Sequence, residues 1–250
     1  LGIGKRENNL NFSALEVIFS TFFKLNNMKK EGNFNSWSVD TGIYKIGYWS
    51  GITAGIATAA FTIFQTLQLF RVFPYPYDEI SIYGSSLCIS VPFILEMLAL
   101  HYVAPAEKKF WSHAALIFAV LYAPFVVTNY VVQLATVIPA VSKGLDEQIE
   151  LLKQTPHSLF WDFDAIGYIF MGLATFVAIP IFEKQGFQKW VRWAFILHSI
   201  TTPFIAYVYF YPVFSEKLLL LGAPWGITAP VFMLLLAFMF KKQVTTHAIK

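Results

Sequence analysis

Six apolar runs, each long enough to cross a lipid bilayer, occupy most of this 250-residue chain. They extend over Ile46 to Phe70, Ile80 to Ala104, Phe110 to Val141, Ser158 to Phe182, Trp190 to Phe214 and Leu218 to Phe240. A helix rises about 1.5 Å per residue and the hydrocarbon core is about 30 Å thick, so about 20 apolar residues suffice to span it. In that medium each backbone N–H and C=O needs a partner from the chain itself, which a helix supplies within one segment. The expectation is an all-α, polytopic transmembrane helical bundle with six crossings over residues 46–240. Residues 1–45 precede it and a tail at 241–250 follows.

Composition agrees with this division. The chain is 56% hydrophobic and 13% charged, where a soluble domain carries about 25% charged residues. Its mean hydropathy is +0.56. Little sequence remains for a separate soluble domain. The net charge of +3 is too small to point to nucleic acid as a partner; the partner implied is the lipid bilayer. The single cysteine, Cys88, cannot form an intrachain disulfide and reads as a small core residue.

The basic residues are distributed unevenly. If all six runs cross, one side receives Lys5, Arg6, Lys24, Lys29, Lys30, Lys45, Lys108, Lys109, Lys184, Lys189, Arg192, Lys241, Lys242 and Lys250. The other receives Arg71, Lys143, Lys153 and Lys217. By the positive-inside rule the richer side is cytoplasmic, and both termini lie there. Trp49, Trp111, Trp161, Trp190, Trp193 and Trp225 fall near the first turns of their helices, as expected of side chains at headgroup level. Met28-Lys29-Lys30 reads as a natural start, which would make residues 1–27 an upstream extension. Phe12 to Leu25 is too polar to span, and it could lie in the interface with its phenylalanines toward lipid.

Gly47, Gly51, Gly55 and Ala59 recur every four residues in the first run, a smooth stripe that lets a neighbouring backbone approach closely. Gly222 and Gly226 repeat the pattern briefly in the sixth. Pro92, Pro124, Pro180, Pro203 and Pro230 lie inside the runs and predict kinks. The third run is longer than a crossing requires, so it should tilt, break near Pro124 or project beyond the membrane. In the connection Ser142 to His157, Leu145, Ile149 and Leu152 share helical spacing opposite Asp146, Glu147 and Glu150, which allows a short surface helix over the outer face, a lid or, more simply, a solvated connector.

Ionisable groups inside crossings are costly and are the default functional candidates. Glu96 and His198 each lie eight residues from the cytoplasmic end of their runs and so share a membrane level. If their faces meet they could act as a catalytic acid–base pair; otherwise each holds helices together. Nearer the other surface, Gln65, Gln68, Asn129, Gln133, Asp162 and Asp164 form a second, ligand-binding candidate set. Gln65 and Gln68 share a helix face, as do Asn129 and Gln133. Asp162 and Asp164, two apart, cannot both point inward. The set either lines a wet cavity or is simply interfacial. No helix carries two histidines three or four apart, so no metal site and no haem is expected. Phosphate loops, dinucleotide fingerprints and serine elbows are lacking too, and no cofactor is implied.

Asn129-Tyr130 with Gln133, Pro156-His157-Ser158 before Trp161, and Ala165-Ile166-Gly167-Tyr168 through Gly172-Leu173-Ala174 resemble a family of uncharacterised bacterial six-helix membrane proteins of unknown function. The resemblance covers roughly residues 44–242. It implies the fold and a bacterial cytoplasmic membrane location, and brings no activity with it. Three functions remain open: binding or sensing a small apolar or lipid-like ligand, a membrane-embedded enzyme using Glu96 and His198, and a proton-coupled transporter using Glu96. The sequence names no protein partner.

Overall fold

Five of the apolar runs fold as one helix each and the sixth as two, divided at Ala223 and Pro224, and the helices end where polar residues, proline and glycine resume. The computed structural model describes residues 39–248, with side chains from 42 to 244. The expected start at Met28 and the interfacial segment of residues 12–25 lie outside the described residues. Helix α1 covers Val39–Leu69 and α2 Tyr77–Val103. Helix α3 runs over Lys109–Val132 and continues through a π-helical turn, Gln133–Val137, into a last turn, Ile138–Val141. Helix α4 is Leu159–Ala178, α5 Gly186–Phe210, α6 the short Glu216–Gly222, and α7 Trp225–Ala248. Six of these segments are long and apolar enough to cross a membrane. The protein is a multi-pass helical membrane protein.

The boundaries differ from the apolar runs in instructive ways. α1 begins seven residues before Ile46, because polar residues such as Asp40, Thr41 and Lys45 do not by themselves interrupt a helical hydrogen-bond ladder. The fifth crossing sits four residues earlier than its apolar run at both ends. α3 passes through Pro124 unbroken and changes only at its π-helical turn. Pro92, Pro203 and Pro230 also lie within helices. Pro180 instead ends α4 in a 3-10 turn, Ile179–Ile181. Ser158 caps the start of α4, its hydroxyl accepting from the Trp161 amide at 3.2 Å.

The helices pack in chain order, α2 on α3, α3 on α4, α4 on α5 and α5 on α7. α1 touches both α2 and α7: a Cβ built on Gly51 would meet Glu96 and Ala237, and one on Gly47 or Gly55 would meet Phe240 or Leu234. The stripe is thus an intramolecular contact. In α7, Gly226 lies against Thr62 of α1, whereas Gly222 has nothing within 4 Å. Thr62 Oγ1 also donates to the Gly226 carbonyl at 3.1 Å. Two further glycines allow α4 to approach its neighbours: Gly167 against Val126 of α3 and Gly172 against Thr202 of α5. At the centre Tyr122, Phe93, Phe232 and Phe195 meet edge to face, joining α3, α2, α7 and α5.

Two sequence expectations need correction. Cys88 is exposed rather than in the core, because the buried face of α2 runs through Ile82, Ser86, Ile89, Phe93, Glu96 and Leu100, and position 88 falls off it. The connection 142–157 carries a 3-10 helix, Asp146–Leu152, in place of an α-helix. With three residues per turn, Ile149 and Leu152 still share a face, while Leu145, four residues before Ile149, leaves it; Ile149 is buried and Leu145 exposed. Between the connections that follow α2 and α4, Lys108 pairs with Glu183. That hydrogen bond, then the lysine charge, holds the exposed Glu183 carboxyl below its ordinary range.

Candidate functional site

Asp164, on the first turns of α4, is the centre of the main polar cluster. Its side chain is buried. Oδ2 accepts from the Tyr209 hydroxyl at 2.6 Å, and Oδ1 from the Tyr130 hydroxyl at 2.7 Å and, more weakly, from Asn129 Nδ2 at 3.5 Å. The same Asn129 nitrogen donates to Gln154 Oε1 at 2.9 Å. One turn along α3, Gln133 Nε2 donates to the Leu152 carbonyl at 2.8 Å while its Oε1 accepts from the Gln154 amide at 3.2 Å. The cluster therefore joins α3, α4 and α5 and fastens the 142–157 connection across their ends. π-helical turns recur at functional positions in helices, and the one in α3 begins at Gln133 itself.

The sequence anticipated Asn129, Gln133 and Asp164 as members of one set, and these three do come together. The other three do not join them. Gln65 is exposed. Gln68 Nε2 donates to Asp78 at 3.0 Å, which ties the ends of α1 and α2. Asp162 is half-buried on a different face of α4. Sequence reasoning missed Tyr130, Tyr209 and Gln154. Tyr130 follows Asn129 directly, but inside an apolar run a tyrosine reads as one more core aromatic. Gln154 sits in a connection, where a glutamine carries no signal.

Glu96 is different in kind. It is 0% exposed, and neither carboxyl oxygen has a hydrogen-bond partner. The carboxyl lies on the bare backbone of α1: a Cβ on Gly51 would stand 2.2 Å from Oε1 and 2.8 Å from the Ala237 Cβ. Leaving a buried polar group unpaired costs roughly 1–3 kcal/mol, more if it is charged. His198, also 0% exposed, is not bonded to Glu96. Its Nδ1 meets Thr228 Oγ1 at 3.1 Å, and its ring packs 4.6 Å from that of Phe232. The acid–base pair that a shared membrane level allowed is not formed, since equal depth fixes neither residue's direction around its helix.

His101 Nδ1 contacts Ser112 Oγ at 3.0 Å, and its ring lies 5.3 Å from that of His113. Among the described residues, no three of His, Cys, Asp and Glu converge. No family model, no curated protein and no solved structure matches this chain.

Proposed function

We propose that this protein binds or senses a small, lipid-like molecule within the bilayer, with Glu96 as the polar anchor. The observation that carries the reading is the carboxyl of Glu96, buried among α1, α2 and α7 with both oxygens unpartnered. An ionisable group is retained at such depth against its cost chiefly where it acts. A ligand with a hydrogen-bonding head and an apolar body would satisfy it in a way that none of the neighbouring side chains does. The seam through which such a ligand would reach Glu96 is faced by Gly51, with the movable side chains of Phe240 and Leu234 on either side. The charge asymmetry supports cytoplasmic termini, and the sequence resemblance supports a bacterial cytoplasmic membrane.

The test is native mass spectrometry with lipidomics on protein purified from membranes, wild type beside Glu96→Gln. The substitution keeps the side chain's size and changes its hydrogen-bonding set. A molecule retained in stoichiometric amount by the wild type should fall at least tenfold in the variant. Equal retention in both, or no retained molecule in two proteins of equal thermal stability, sinks the proposal.

A further inference from the structure

The aromatic core shared by α1, α4, α5 and α7 encloses two polar atoms that neither Glu96 nor the Asp164 cluster uses. His198 and Trp225 are 0% and 5% exposed. Thr228 Oγ1 lies 3.1 Å from His198 Nδ1 and 3.0 Å from the Pro224 carbonyl. Thr228 Oγ1 also lies 3.4 Å from the Trp225 carbonyl. A threonine hydroxyl has one hydrogen, a carbonyl can only accept, and two oxygens 3.0 Å apart with no hydrogen between them repel, so the hydrogen is assigned to the backbone side, toward Pro224. Oγ1 then accepts from Nδ1–H, and a ring this buried with no ion pair among the described residues is neutral, which leaves Nε2 bare. Nε2 has no partner, and neither does the indole N–H of Trp225. One is an acceptor and the other a donor, on rings whose centroids are 6.2 Å apart.

We propose that His198 and Trp225 together hold a hydroxyl group inside the bundle. A hydroxyl gives its one hydrogen to Nε2 and accepts from the indole, so it completes both groups at once. A carboxylate would offer Nε2 no hydrogen, an ammonium would offer the indole no acceptor, and a metal ion would leave the indole unsatisfied. The surroundings are apolar: Phe232 packs on His198, and Phe61 and Tyr168 meet Trp225 edge-on at 5.7 and 4.7 Å. Two sources fit this chemistry, a single buried water or the alcohol of a lipid-like molecule whose body lies along those rings.

Nuclear magnetic resonance on the full chain in lipid nanodiscs, with 15N-labelled tryptophan, reads the site without altering it. The Trp225 indole signal is assigned by its loss in Trp225→Phe or, if that variant does not accumulate, by cross-relaxation to the Phe61 and Tyr168 rings. In the unmutated protein the indole proton should cross-relax with a non-protein partner. Water protons identify the first source, and carbinol C–H protons of a retained molecule identify the second; either result supports the site. His198→Phe, which keeps a ring and removes the acceptor, should abolish that cross-peak. Cross-peaks confined to protein protons overturn the proposal, as does scalar coupling from Trp225 Nε1 directly to His198 Nε2.

Discussion

Asp162 and Asp164 are two positions apart in the same apolar run and end in different surroundings. A helix turns about 200° over two residues, so when Asp164 points at Tyr130 and Tyr209, Asp162 points away. An aspartate accepts at both oxygens; an asparagine would accept at one and turn its amide N–H toward the other tyrosine, whose hydroxyl hydrogen would then lose its acceptor. Asp164→Asn should therefore lower stability by about 1–3 kcal/mol, read as a drop in melting temperature in detergent. Asp162→Asn should stay within about 0.5 kcal/mol of the wild type. Equal melting temperatures for the two variants would contradict the assigned geometry. That one of these acids turns inward follows from the sequence. Which one does so depends on partners from α3 and α5, distant in the chain, and no local pattern records them.

At the scale of elements, the glycine stripe of α1 was legible because its spacing matches the helix repeat. Gly167 and Gly172 play the same part in α4, but five residues apart they form no stripe, and only the packed neighbours reveal them. Gly51→Leu should destabilise the bundle by about 1–3 kcal/mol through overpacking, because the Cβ of Ala237 is attached to backbone and cannot turn aside. Gly222→Leu, with open space around it, should leave thermal stability unchanged. If Gly51→Leu melts with the wild type, α1 does not pack on α7 as described. Tryptophan divides by element as well. Trp111 and Trp190, in the first turns of α3 and α5, Trp193, one turn further, and Trp49, nearly three turns into α1, are 40–63% exposed, as side chains facing lipid or headgroups are. Trp161 and Trp225, at the starts of α4 and α7, are buried. The sequence treated all six alike, since position along a helix gives the depth of a side chain and not the face it occupies.

For the whole molecule, six crossings require successive connections to alternate between the two membrane surfaces, and the basic residues then assign the surfaces. Reporter fusions after Phe70 and after Val141 should read external, and those after Ala104 and Phe182 internal; the reverse pattern would refute the orientation. The sequence by itself determined the fold class and the number of crossings. It also singled out the residues that carry a polar cost in lipid. These follow from transfer energies and helix rise, which act residue by residue along the chain. Only the tertiary structure decided which of those polar residues meet. It left Glu96 alone, turned His198 toward Thr228 and Trp225, gathered Asn129, Gln133 and Asp164 around two tyrosines, and set Gln65 outside. The reason is rotational: each helix must choose a face for the core, and that choice rests on packing against helices far away in sequence.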